Sequence, residues 1–177
     1  MCAMLKWTLL TIAGLAATVA LAAVAGLFLP KGHRASRTVV HAAPPAAVYA
    51  VITDVAKFPE WRSDVTSVEV LGGPPGSGRF REHGKDGPIA YRVEAREENS
   101  RLVTRIDDPS LPFGGTWTFE LRPVPEGTAL TITEDGEIHN PLFRVMSKLF
   151  FSPYDTIDRY HASLAARLQA LRPGGSS

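Results

Sequence analysis

The chain has 177 residues, 45% hydrophobic and 21% charged, with a net charge of +1 and a single cysteine. One cysteine excludes an internal disulfide, and the near-neutral balance without a basic stripe excludes a nucleic-acid partner. The length remaining after the first thirty residues suits one domain with its own hydrophobic core.

Residues 7–30 carry no charge. As a helix this run of 24 residues would be roughly 36 Å long, more than the ~30 Å hydrocarbon core of a bilayer. Lys6 precedes it; Lys31, His33, Arg34 and Arg37 follow. Two readings fit. Ala20-Leu21-Ala22 and Ala23-Val24-Ala25 resemble signal-peptide cleavage sites, but the apolar run continues through Leu27, Phe28 and Leu29, which favours an uncleaved anchor. Cys2 lies ahead of the run and excludes a lipoprotein signal. Residues 1–30 are therefore expected to form a single-pass membrane anchor. The basic residues after the helix outweigh Lys6 and the terminal amine by one charge, which favours a cytoplasmic domain.

Residues 31–36 read as a polar linker and 37–172 as one domain, with a disordered tail at 173–177. A first strand is expected at 37–43, ended by Pro44-Pro45. Pro45 suits the first turn of a helix that runs to Thr53 with Ala46, Val48, Tyr49 and Ile52 on its apolar side. A second short helix covers 55–61, interrupted near Pro59. From Thr66 the period changes to two, with Val68 and Val70 alternating. The glycine- and proline-rich stretch 72–78 makes a hairpin loop. Strands follow at 79–84, 89–97, 101–107, 115–123 and 128–138. On the last strand Leu130, Ile132, Glu134 and Ile138 share one face, and Thr131, Thr133, Asp135 and Glu137 the other, wet one. Asn140 is a good N-cap and Pro141 a good first residue for a helix over 141–151. Ser152-Pro153 breaks it, and a second piece carries Ile157, Tyr160, Leu164, Leu168 and Leu171 on one stripe. The fold class is α+β: a bent antiparallel sheet of six to seven strands with a long C-terminal helix on its concave face. One helix does not fill such a sheet, so a cavity is expected between them.

Val40, Pro45, Val48, Asp54, Phe58, Pro59 and Trp61 open a pattern that continues in Gly115-Thr116-Trp117, Gly127-Thr128-Ala129-Leu130-Thr131 and Asn140-Pro141. In this order and spacing, residues 36–171 resemble the START-like, Bet v 1-like (SRPBCC) superfamily, known in bacteria as polyketide cyclase/dehydrase and lipid-transport-like proteins. The resemblance implies the helix-grip fold with a hydrophobic pocket under the C-terminal helix. It implies no single ligand, since members hold lipids, sterols, quinones, polyketides or hormones, and some are enzymes while most are not. The proline within the last helix and the anchor depart from the simplest members.

Catalytic signatures are missing: there is no nucleophile elbow, no Cys-x-x-Cys, no His-Glu-x-x-His and no P-loop. The five histidines are scattered without an i, i+4 pair, so neither metal nor cofactor is expected. Strand phase supplies the pocket candidates. Tyr91, Trp117 and Phe119 fall on inner faces with Leu102 and Ile132 as apolar lining; Trp117 and Phe119 could equally be plain core. Glu134 also points inward, either to orient a polar head group or act as an acid or base, or to reach water or an arginine at the sheet's end. Trp61 is expected to lock the short helices to the sheet. The 142–151 segment is either a buried helix start or a lid resting on the bilayer. In the second case Phe143, Leu149, Phe150 and Phe151 dip in, and Arg144 and Lys148 meet lipid phosphates.

Three functions fit these features. The first is a membrane-anchored module binding a hydrophobic small molecule such as a lipid or isoprenoid. The second is a cyclase- or dehydrase-type enzyme using Glu134 and Tyr91. The third is an interaction or chaperone-like module with a collapsed pocket. Nothing in the sequence bears on oligomeric state.

Overall fold

The structure, a computed structural model, describes residues 2–73, 78–85, 87–150 and 152–172. The tail at 173–177, Phe151 and most of the loop expected at 72–78 lie outside the described residues. Helix α1 (Cys2–Leu27) is followed by strand β1 (Gly32–His41), α2 (Pro45–Thr53) and a short 3-10 helix (Val55–Glu60). Six strands come next: β2 (Val65–Gly72), β3 (Arg79–Gly84), β4 (Gly87–Glu97), β5 (Arg101–Ile106), β6 (Phe113–Val124) and β7 (Gly127–Ile138). Two helices, α3 (Pro141–Phe150) and α4 (Pro153–Ala170), complete the chain.

The strands form one antiparallel sheet in the order β1-β7-β6-β5-β4-β3-β2. Each of β2 to β7 pairs with its sequence neighbour through a short connection, the arrangement that antiparallel ladders allow. Strand β1 then returns to the free edge of β7. The α+β helix-grip fold expected from the pattern is what the chain adopts.

The polar linker expected at 31–36 is a correction. Gly32 to Ser36 are the first half of β1, paired with Glu137 to Thr133 of β7. A twelve-residue β7 would otherwise carry an unpaired edge over half its length, and unpaired edge groups are costly when they are covered. Ser36 and Thr133 share a hydroxyl hydrogen bond of 2.8 Å across this pairing, so Thr133 is buried rather than wet. Only residues 28–31 separate α1 from the sheet.

Leu130 and Ile132 on the inner face of β7, with Val48 and Ile52 of α2 and Ile157 and Leu164 of α4, are fully buried. The caps read from the sequence form: Asn140 Oδ1 accepts from the Leu142 and Phe143 amides at 2.9 and 3.1 Å. Ser152 Oγ accepts from the Tyr154 amide, and Pro153 takes the first position of α4. The chain therefore bends between α3 and α4. Leu171, placed on the buried stripe by its spacing, lies past the end of α4 and is exposed.

Helix α1 contains a 22-residue stretch, Lys6–Leu27, with mean hydropathy 2.1, long and apolar enough to cross a membrane. It packs against α3, and α1 loses exposure at Ala22, Ala23 and Gly26. Gly26 is required there, because a Cβ would overlap the Pro141 carbonyl.

Candidate functional site

Two adjoining cavities lie between the sheet and the C-terminal helices. The inner one, about 210 Å³, sits among β3 to β6, the 3-10 helix and α4, with Phe58, Phe80, Leu102, Phe119 and Tyr160 among its walls. The outer one, about 440 Å³, is lined by residues of four origins. Leu29, Pro30 and Lys31 come from the connection after α1, Phe113, Trp117 and Glu134 from the sheet, Phe143, Ser147 and Lys148 from α3, and Pro153 and Thr156 from α4. Ile89, Tyr91, Trp117 and Thr156 line both cavities and form the boundary between them. The outer volume alone is within the range of small-molecule sites, and the walls are apolar with a few polar groups. The pocket is therefore not collapsed.

Strand register explains the aromatic walls. Tyr91 pairs with Phe80 across β3 and β4, and their rings stack at 5.3 Å. Phe119 sits opposite Leu102 on β5 and Ile132 on β7; Trp117 sits opposite Glu134. Tyr160 of α4 meets Phe119 at 5.3 Å and Trp61 edge-on at 5.4 Å. Trp61 thus ties the 3-10 helix to α4 rather than to the sheet, with Phe58 on its other side.

The sequence reading missed the polar centre of the inner cavity. Arg62 Nη1 donates to Glu82 Oε1 at 2.7 Å, and Arg62 Nη2 donates to Asp64 Oδ2 at 2.6 Å. The guanidinium also lies over the Phe58 and Tyr160 rings, at 5.0 and 5.3 Å. Arg62 and Glu82 side chains are each only 11% exposed. Burial pushes the Glu82 carboxyl above its usual range, against the pull of Arg62. Burial acts on Asp64 too, but hydrogen bonding and charge from Arg62 hold its carboxyl low. Burial raises the Tyr91 and Tyr160 hydroxyls, which keeps both as neutral donors. Phase held the missing signal: Glu82 is two residues from Phe80, so an inward Phe80 places Glu82 inward as well.

The outer cavity holds a second polar pair. Glu134 is inward as its phase indicates, and its partner is a histidine, not an arginine: His33 Nε2 stands 3.5 Å from Glu134 Oε1. The His33 ring fills the place a Cβ on Gly136 would occupy, so that glycine makes room for the pair. Burial raises the Glu134 carboxyl, and His33 draws it down. His33 escaped the sequence reading because it fell in the stretch taken for a linker.

The expected site residues separate into groups. Tyr91, Trp117 and Glu134 line the outer cavity, while Leu102 and Phe119 line the inner one. Ile132 is a correction: it lines neither and is fully buried with Leu130, Ile157 and Leu164, beneath the β1–β7 pairing. Phe143 lines the outer cavity and stacks on Phe113 at 6.1 Å. Lys148 and Phe150 are exposed.

Arg144, expected to face lipid phosphates, is a further correction. It is 5% exposed, and its guanidinium is spent on carbonyls. Nε donates to Ile138 O at 2.8 Å, Nη2 to His139 O at 3.0 Å and Nη1 to Gly26 O at 3.1 Å. The last carbonyls of a helix lack intrahelical partners, and a cation there is favourable. Arg144 serves that need for α1 and clamps it to α3. Among the described residues there is no group of three or more metal-ligating side chains.

The fold is shared with solved structures. The Zhui aromatase/cyclase from Streptomyces sp. R1128 superposes with a TM-score of 0.68 at 15% identity, covering 82% of this chain and 99% of that one. A START superfamily protein from Mycobacterium smegmatis gives a TM-score of 0.62 at 20% identity, over 79% of this chain and 99% of that one. The di-domain aromatase/cyclase StfQ of the steffimycin pathway gives 0.64 at 15% identity, over 76% of this chain and 50% of that one. At these identities the likeness is one of fold. No curated protein matches the chain by sequence. The profile of one family, described as polyketide cyclase/dehydrase and lipid transport, matches residues 32–169, from the first residue of β1 almost to the end of α4. With the whole sheet, α2, α3, nearly all of α4 and the inner cavity inside that match, the chain belongs to the polyketide cyclase/dehydrase and lipid transport family.

Proposed function

We propose that the protein is a single-pass, membrane-anchored module that holds a hydrophobic small molecule, a lipid or isoprenoid, in the double cavity. The observation that carries this reading is the wall of the outer cavity: Leu29 and Pro30, the residues that leave the anchor helix, line it beside Phe143. An apolar cavity built onto the end of a membrane-length helix is adjacent to a reservoir of apolar ligands. The basic residues Lys31, Arg34 and Arg37 after the helix favour the cytoplasmic side for the domain. Organic extraction of the full-length protein, followed by mass spectrometry, tests the binding. A defined apolar compound is expected from wild type and not from Ile89→Trp, which fills the boundary between the cavities. Equal yields from both, or none from either, count against the reading.

A second reading, an enzyme of the cyclase or dehydrase type, is supported by one observation. Glu134 and Tyr91 line the same cavity, so an acid or base and a neutral donor share one space. A poly-β-carbonyl substrate cyclised by wild type, but not by Glu134→Gln with ligand retention unchanged, favours it. No turnover by wild type removes it.

A further inference from the structure

Helix α3 is short and exposes its far end. Met146 is 44% exposed, and Leu149 and Phe150 are each 68% exposed. Such side chains on a water-facing helix gain nothing from their exposure, and here they are grouped on the last turns of one element. Their position relative to the anchor identifies what covers them. Helix α1 loses exposure at Ala22, Ala23 and Gly26, inside the membrane-length stretch that ends at Leu27. From Gly26 back to Ala22 the helix rises about 6 Å. That is the depth of ~5–10 Å at which interfacial helices lie in the headgroup and acyl boundary.

The contact is a fixed one. Pro141 closes on Gly26, and the Arg144 guanidinium ties the Gly26 carbonyl to those of Ile138 and His139. Only residues 28–31 connect α1 to the sheet, so the domain cannot drift far from the level of the clamp. Lys148, exposed on the turn that carries Leu149 and Phe150, supplies a cation at the height of lipid phosphates.

We propose that α3 lies in the interface of the leaflet where α1 ends, with Met146, Leu149 and Phe150 among the acyl chains and Lys148 at the phosphates. The partner of this surface is the phospholipid bilayer itself. The same helix presents Phe143 and Ser147 to the outer cavity, so the α3 wall of that cavity stands at the membrane surface. The inference rests on the anchored reading of α1, and its test separates the two.

Full-length protein with Cys2→Ser is reconstituted in vesicles of phosphatidylcholine with a minor fraction of phosphatidylglycerol. Nitroxide labels are placed singly at Phe150→Cys, at Ala17→Cys within the anchor, and at Val70→Cys on β2. All three positions are exposed, so folding is not at stake. Power saturation then compares collisions with oxygen, which concentrates in lipid, and with a water-soluble nickel chelate. Labels at 150 and 17 are expected to favour oxygen several-fold over the label at 70. A label at 150 that matches 70 while 17 favours oxygen overturns the seating of α3 and leaves the anchor intact. Labels at 17 and 150 that both match 70 overturn both. Dipolar broadening between labels at 150, without oxygen preference, assigns the surface to a second copy of the chain and overturns the proposal as well.

Discussion

Removing Arg62 should destabilise the domain far more than removing it together with Glu82. In Arg62→Met, Glu82 keeps a side chain that is 11% exposed and loses the guanidinium 2.7 Å away. Asp64, 26% exposed on its side chain, can turn to water. Breaking a buried ion pair from one side costs about 3–5 kcal/mol, because a charge is left without compensation. Glu82 can escape part of that cost by taking up a proton, since burial already pushes its carboxyl up. The expected loss is therefore at the low end, about 3 kcal/mol at neutral pH. At roughly 2–4 °C per kcal/mol for a chain of this size, the melting temperature should fall by roughly 6–12 °C. Replacing both partners, Arg62→Met with Glu82→Met, removes the orphan charge and should recover most of the loss, to within about 1 kcal/mol of wild type.

The pH dependence has a definite sign. In the single variant the Glu82 carboxyl titrates higher folded than unfolded, so the folded state binds more protons and stability falls as pH rises through that interval. The defect should accordingly shrink on acidification. Thermal unfolding of full-length protein in detergent, followed by circular dichroism across pH, measures all of this. A single variant as stable as wild type, or a double variant worse than the single, would refute the reasoning.

His41 and His161 give a second handle on pH. Their rings stack at 5.4 Å with Nε2 and Nδ1 3.1 Å apart, and both are buried where β1 meets α4. Burial, then the charge of His161, lowers the His41 pKa from 6.5 to about 4. Burial lowers His161 also, against the Arg37 carbonyl and Asp158. Here the unfolded state binds more protons, so stability is full above pH 6.5 and is lost towards pH 4, by about 3 kcal/mol for His41 alone. His41→Leu should flatten that acid limb in the same melting experiment; an unchanged slope contradicts the assignment. Asn140→Ala removes the side-chain acceptor at the start of α3 and should cost about 1 kcal/mol, read from the same melts. No loss would mean that the clamp at Arg144 alone fixes this helix start.

Periodicity made most of the sheet legible. Alternation on β7 placed Leu130, Ile132 and Glu134 on the core side, and the same phase put Tyr91, Trp117 and Phe119 inward, as found. Phase shows direction but not depth. Ile132 and Trp117 therefore looked alike, although one is sealed under the β1–β7 pairing and the other borders both cavities. Polar strands were harder to read. Gly32 to Ser36 lack apolar alternation because Ala35 is the one apolar side chain they bury, the other inward position being His33 and the rest of the pairing resting on backbone and hydroxyl groups. The cluster joins Arg62 and Asp64 to Glu82 on a later strand, and each looks like a solvated charge on its own. Arg144 misled for a related reason: its partner, the Gly26 carbonyl, belongs to a helix end more than a hundred residues earlier.

Native mass spectrometry of the full-length protein released from detergent micelles tests the central claim most directly. The account predicts a population heavier than the bare chain by one small apolar molecule of constant mass, lost in Ile89→Trp. A spectrum of bare chain alone, under conditions that preserve the fold, would contradict it.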